Sequence, residues 1–187
     1  MQAFETLFAK VSKALDQDGI RYMVIGGQAV LIHGEPRFTG DIDITLGIDS
    51  NEAERIFEIA RHLSLKPIKG VTKEFVRRNA LLSVEDKKTR IVIDFMFSSL
   101  PYELQAIERA KPIRVGATKV RFATAEDTII HKLLAGRPLD IADVKSIVNR
   151  KNNLDNKYLK KWLKQFSVVA GRDLVKDYEE IDAEVNG

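Results

Sequence analysis

Val24-Ile25-Gly26-Gly27-Gln28-Ala29-Val30-Leu31-Ile32-His33, followed after a short connection by Asp41-Ile42-Asp43-Ile44-Thr45-Leu46, decides how this chain is read. Polar and apolar residues alternate in the second segment. An extended conformation therefore puts Asp41, Asp43 and Thr45 on one face and Ile42, Ile44 and Leu46 on the other. Two neighbouring carboxylates repel, and aspartate is a poor strand former, so the pattern calls for a cation between them. Magnesium suits, being a hard ion that takes one or two carboxylates together with substrate phosphates.

The first segment predicts a strand over 21–25, a tight turn at Gly26-Gly27 and a short helix over 28–33 closed by Gly34. Glycines at such a turn let the backbone approach a phosphate, and the free N–H groups and positive end of the helix attract it. A glycine pair alone says little. Joined to an Asp-x-Asp strand across residues 28 to 40, it says much more.

Together these motifs resemble the signature of the nucleotidyltransferase superfamily that includes DNA polymerase beta: a hydrophobic residue, Gly-Gly or Gly-Ser, a helical spacer, then Asp-hydrophobic-Asp. The resemblance implies a third carboxylate on a later strand. Arg90-Ile91-Val92-Ile93-Asp94-Phe95-Met96-Phe97 supplies a candidate, because an ionised aspartate in an apolar strand is costly unless paired or bound to a cation. By resemblance, Asp41, Asp43 and Asp94 are the catalytic, metal-binding set. They imply two Mg2+ ions, with Mn2+ as a substitute, and transfer of a nucleoside monophosphate from a nucleoside triphosphate to a hydroxyl. Many superfamily members have serine at the position of Gly27, whereas this chain offers only a backbone N–H there.

Thr124-Ala125-Glu126-Asp127 predicts a capped helix start, with Ile129, Ile130, Leu133 and Leu134 at helical spacing and Gly136 at the end. Lys132 lies off that stripe. In the next helix, Arg137, Asp140 and Asp143 fall near one face, opposite Ile141, Val144 and Val148. Lys-Leu-Leu-Ala-Gly-Arg followed by Asp-x-x-Asp resembles the C-terminal motifs of the AbiEii-like, minimal branch of the superfamily, whose better known members are toxins of toxin–antitoxin pairs. That likeness implies phosphate contacts from Lys132 and Arg137, a supporting role for Asp140 or Asp143, and an antitoxin protein as a partner. Arg37 and Thr39 precede Asp41 and could reach the triphosphate.

Each residue also has a plainer reading. Asp41 and Asp43 could be solvated on an edge strand, and Lys132 could be an exposed helix lysine. Arg137, Asp140 and Asp143 could be an ion-pair cluster at a helix start, and Arg37 and Thr39 could be turn residues. His33, His62 and His131 show no metal-ligand spacing.

The expected fold class is α+β (α/β): a small mixed β-sheet core with flanking helices over 1–123 and a helical C-terminal region over 124–187. Phe4, Leu7, Phe8, Val11 and Leu15 stripe a first helix, beginning at Met1-Gln2. Ser50 is expected to open a helix running to about Leu63. Further strands are expected near 79–84, 90–97, 113–115 and 119–122, with Gly116 at a hairpin turn and a helix over 102–110.

With 187 residues the chain can bury one good core, or one core with a helical extension, and without cysteine it has no disulfide framework or thiolate metal site. No apolar run approaches a membrane span and no signal-peptide pattern opens the chain, so the expected location is the cytoplasm. The net charge of +3 is compatible with nucleic-acid binding but does not demand it. The charge is uneven: residues 66–90 hold eight Lys or Arg against three acids, and residues 150–165 hold six against Asp155 alone. Lys157, Lys160, Lys161 and Lys164 share a helical face beside Tyr158 and Trp162, which could grip an RNA backbone and stack a base, or could be a solvated face whose Trp162 enters the core. RNA or tRNA, a protein hydroxyl and a small molecule all remain open as acceptors. The alternative function is a catalytically degenerate nucleotide-binding or partner-binding protein on the same fold.

Overall fold

The computed structural model describes residues 2–151 and 153–187; Met1, which the sequence reading puts at the head of the first helix, lies outside them. Two compact units form, one from residues 1–25 and 39–122 and the other from residues 26–38 and 123–187. The second unit thus takes the short segment after the first strand as well as the C-terminal helices.

In the first unit, the described residues form a seven-stranded mixed sheet. Its strands are β1 (Tyr22–Ile25), β2 (Asp41–Leu46), β3 (Leu65–Pro67), β4 (Leu81–Asp86), β5 (Val92–Phe97), β6 (Lys111–Val115) and β7 (Thr118–Phe122), in the order β3-β4-β5-β2-β1-β7-β6. The β2–β5 and β1–β7 pairs are parallel and the others antiparallel. One face of β2, β4 and β5 presents Ile42, Ile44, Leu46, Leu82, Val84, Ile93, Phe95 and Phe97, all buried. These are the apolar members of the alternating strands, so the alternation selects which face enters the core. The helices α1 (Gln2–Gln17), α3 (Ala53–His62), α4 (Lys73–Asn79) and α5 (Pro101–Arg109) complete this unit and add Leu15, Ile56, Val76 and Ile107 to its buried residues.

The sequence reading needs four local corrections here. Asp49, not Ser50, caps the third helical segment: its carboxylate accepts from Asn51 N at 2.8 Å, and a 3-10 turn over Ser50–Glu52 precedes α3. The strand expected at 79–84 runs from Leu81 to Asp86, because α4 extends to Asn79 and Ala80 turns the chain with φ +51°. Both α4 and β3 escape a pattern search: α4 is short and mostly charged or polar, and β3 has only three residues and ends in proline. β6 begins at Lys111 and tolerates Pro112 because it is an edge strand with one unpaired side. The Gly116 hairpin is as expected, with φ +59°.

The second unit is helical: α2 (Gly26–His33), α6 (Ala125–Ala135), α7 (Pro138–Arg150), α8 (Asn156–Ala170) and α9 (Leu174–Asn186). Thr124 caps α6 by accepting from Asp127 N at 3.2 Å, and Gly136 ends it in the left-handed conformation, φ +66°. In α8, Tyr158 and Trp162 are buried. The aromatics therefore serve the core and are not an exposed stacking platform for RNA. Lys160 is paired with Glu179 of α9 at 2.7 Å, so the acidic last helix packs back on the lysine-bearing one. Among the described residues no helix is long and apolar enough to cross a membrane.

Candidate active site

Three aspartates of the first unit are brought together by strand register. β2 and β5 run parallel with Asp43 directly opposite Asp94 and Asp41 opposite Val92. Residues opposite one another project to the same side of a sheet, and so do residues two apart on one strand. Asp41, Asp43 and Asp94 therefore share one face, opposite the buried aliphatic face. Asp41 is exposed, while Asp43 and Asp94 are half-buried. Thr39 Oγ1 donates to Asp41 Oδ1 at 3.0 Å, which orients that carboxylate from two residues away.

Asp94 Oδ1 is buried and has no hydrogen-bond partner among the described residues. A carboxylate oxygen withdrawn from water without a donor is costly, and a bound cation is the simplest compensation. The donor set, all carboxylate oxygen, suits a hard divalent ion. Among the described residues no three His, Cys, Asp or Glu side chains are already gathered around a metal position. Magnesium does not require such a cage, because it keeps several waters and takes phosphate oxygens from its substrate.

In the second unit, the turn after β1 is tighter than the sequence suggests. α2 begins at Gly26 itself, whose φ of +64° makes the turn in a single residue, and Gly27 already lies within the helix. A side chain at Gly26 would be strained in that conformation. A helix start in general leaves N–H groups without intrahelical acceptors, the property that suits it to an anion.

The remaining charged candidates of this unit form one ion-pair group. Lys132 Nζ donates to Asp140 Oδ1 at 2.8 Å and lies 2.9 Å from Asp143 Oδ2. Arg37 grips Asp143 with two parallel bonds, Nε to Oδ1 at 2.7 Å and Nη2 to Oδ2 at 2.8 Å. Arg137 holds Asp140 through its backbone N, Nε and Nη2, so Asp140 also completes a capping box at the start of α7. Lys132, Asp140 and Asp143 are only 7 %, 1 % and 3 % exposed. Burial by itself pushes the Asp140 carboxyl up, but hydrogen bonds from Arg137 and Lys132 outweigh it and hold the pKa at about 2. Lys132 is thus neither a surface lysine nor open to solvent, and the guanidinium of Arg137 is the outward-facing cation of the group. No local pattern reveals the Arg37–Asp143 pair, since its members are 106 residues apart.

A family model described as "Nucleotidyltransferase of unknown function (DUF6036)" matches residues 2–185. The chain belongs to this nucleotidyltransferase family. Solved structures share its fold. An antigenic nucleotidyltransferase-like protein from Paracoccidioides brasiliensis is 17% identical, with a TM-score of 0.57 over 94% of this chain and 91% of that one. The antibiotic-resistance factor ANT(2'')-Ia is 14% identical, with a TM-score of 0.54 over 98% and 91%. MenT4, a nucleotidyltransferase toxin from Mycobacterium tuberculosis H37Rv, is 16% identical, with a TM-score of 0.50 over 88% and 64%. No curated protein matches the chain. Family and fold agree with the superfamily read from Gly26-Gly27, Asp41-x-Asp43 and Asp94.

Proposed function

We propose that this nucleotidyltransferase moves a nucleoside monophosphate from a nucleoside triphosphate to an acceptor hydroxyl, with Asp41, Asp43 and Asp94 as the divalent-metal ligands. The observation that carries the reading is the direct pairing of Asp43 with Asp94, on the face that also bears Asp41. Magnesium bound there would supply charge neutralisation for the triphosphate and acidify the acceptor hydroxyl. The protein's own part is to align the carboxylates through the β2–β5 ladder, with Thr39 fixing the rotamer of Asp41. Backbone N–H groups at Gly26 and Gly27 would hold β- and γ-phosphate oxygens, presenting the α-phosphorus in line with the acceptor oxygen. Arg137, whose guanidinium faces outward, would add charge at the phosphates, while Arg37 would position Asp143. Lys132, Asp140 and Asp143 fit better as positioning residues, because their charges already satisfy one another.

The reading includes a cytoplasmic location, where nucleoside triphosphates are supplied to such an enzyme. A toxin role with an antitoxin partner is a narrower claim that rests on the Lys132-to-Asp143 motifs alone. Its signature would be growth arrest on expression of the wild type and none with Asp41→Asn.

Calorimetric titration of each nucleoside triphosphate in the presence of Mg2+, repeated with the Asp41→Asn, Asp43→Asn double variant, tests the main reading. Metal-dependent binding is expected of the wild type and not of the variant, and pyrophosphate release should divide the two in the same way once an acceptor hydroxyl is supplied. Transfer retained by the variant would remove the carboxylates from the mechanism.

A further inference from the structure

The register of the first unit continues past the aspartates to the edge of the sheet. Asp41 lies opposite Val92, Val92 opposite Glu85, and Glu85 opposite Lys66. One row deeper, Asp43 lies opposite Asp94 and Asp94 opposite Ser83. All of these residues share the carboxylate face. Along β4 and β5 that face is half-buried at Leu81, Ser83, Glu85, Val92, Asp94 and Met96, whereas the intervening residues on the other side are fully buried. A half-buried strip thus runs from the aspartates to the exposed Lys66. Adjacent strands are about 4.8 Å apart, so its three steps measure roughly 14 Å.

The outer end of the strip is cationic. The β4–β5 hairpin is tied by Asp86, which accepts from Thr89 N at 3.0 Å and Thr89 Oγ1 at 2.6 Å, and it holds Lys87 and Lys88 in solvent. Lys66 lies opposite Glu85 and Leu65 opposite Asp86, which brings Lys66 close to Lys87 at the end of β4; a side-chain hydrogen bond with Lys66 and then its like charge push the Lys87 pKa down. Glu85, the acid of the same row, is engaged by Arg90 at 3.1 Å. Two exposed ammonium groups set side by side repel, and an anion between them would relieve both.

We propose that the β3–β4–β5 face is a docking track for the 3′ end of a single-stranded RNA, with Lys66 and Lys87 holding a backbone phosphate and the terminal hydroxyl lying at the aspartates. The inference rests on the transfer reading and names its acceptor class. A compact alcohol cannot place a hydroxyl and an anion roughly 14 Å apart, whereas an extended phosphodiester chain does so by construction. Leu81, Val92 and Met96 give bases and sugars an apolar floor, and Ser83 offers a hydroxyl to a ribose 2′-OH, the group that separates RNA from DNA.

The test is fluorescence anisotropy of a labelled oligoribonucleotide of about ten nucleotides with the full chain, without nucleoside triphosphate or metal, over a range of salt concentrations. Lys66→Ala with Lys87→Ala should weaken binding about tenfold and flatten the log–log salt dependence by about 0.7, the contribution of the one single-strand phosphate that the pair holds. Lys66→Arg with Lys87→Arg should bind as wild type, and circular dichroism should show both variants folded. The Asp41→Asn, Asp43→Asn variant should bind RNA at least as well as wild type, so that a failure of the catalytic assignment is read in pyrophosphate release and a failure of docking in anisotropy. Wild-type affinity in the double alanine variant, equal binding of the matching oligodeoxyribonucleotide, or displacement of the RNA by an equimolar acidic peptide would each overturn the proposal.

Discussion

Asp43 of β2 and Asp94 of β5 are directly paired across a parallel ladder, two carboxylates held side by side by backbone hydrogen bonding. Like charges at opposed positions in a sheet cost stability, so this pair is retained against the fold's own interest. Asp43→Asn or Asp94→Asn should therefore raise the unfolding free energy by about 0.5 kcal/mol in the absence of divalent ions. Transfer should fall on the order of a hundredfold or more, the loss expected when several kcal/mol of charge stabilisation is removed. Thermal melts with and without Mg2+ check both effects: the ion should raise the wild-type midpoint and leave the variants unmoved.

Lys132 is locked between Asp140 and Asp143 at 2.8 and 2.9 Å, and all three are buried. Lys132→Met should cost about 3 kcal/mol, because it leaves two buried carboxylates short of a cation. Adding Asp140→Asn should recover part of that loss, since one of the stranded charges disappears. Urea denaturation measures both. A lysine acting only as a phosphate ligand would leave stability untouched when replaced.

The same group makes stability depend on acid. Asp140 has its folded-state pKa depressed from 3.8 to about 2. A depressed carboxyl contributes stability that is complete above the unfolded value and is lost as pH falls through the folded one. The window is therefore from about pH 4 down to about pH 2, and the contribution is about 2 kcal/mol. Urea midpoints followed across that range should fall more steeply for wild type than for Asp140→Asn.

The fold, and the shared face of Asp41 and Asp43, are legible in the sequence because both rest on short-range regularities. Alternation in Asp41–Leu46 and Arg90–Phe97 fixes which face is buried, and spacing alone aligns Asp41 with Asp43. The pairing of Asp43 with Asp94 is not local, and only the family pattern suggests it in advance. The ion-pair group resists sequence reading for the same reason. Lys132 lies off the apolar stripe and looks like a surface residue, yet a partner eight residues away and another eleven away draw it inside. Lys66 shows in the sequence only as the first of the basic run over 66–90, since its place on the carboxylate face follows from three successive strand registers.

Gly34 is the position where sequence suggests one reason for a glycine and structure supplies another. It follows α2, as a helix-ending glycine would, and its N–H closes the last turn on Val30 O at 2.7 Å. The described backbone, however, does not include it among the positive-φ glycines. What demands glycine is α7: a Cβ at this position would stand 2.2 Å from Ser146 Oγ and 3.1 Å from Ile147 Cγ1. Ser146 Oγ cannot swing away freely, because it accepts from Glu35 N and donates to Asp143 O, each at 3.1 Å. Gly34→Ala should therefore cost about 1–3 kcal/mol by overpacking, and the displaced Ser146 should loosen the helix that presents Asp143. Ser146→Ala removes the oxygen and, with it, much of the clash. A double-mutant cycle in urea should show Gly34→Ala costing less in the Ser146→Ala background than in wild type, with a coupling of about 1 kcal/mol. Strict additivity would mean that the two residues do not meet.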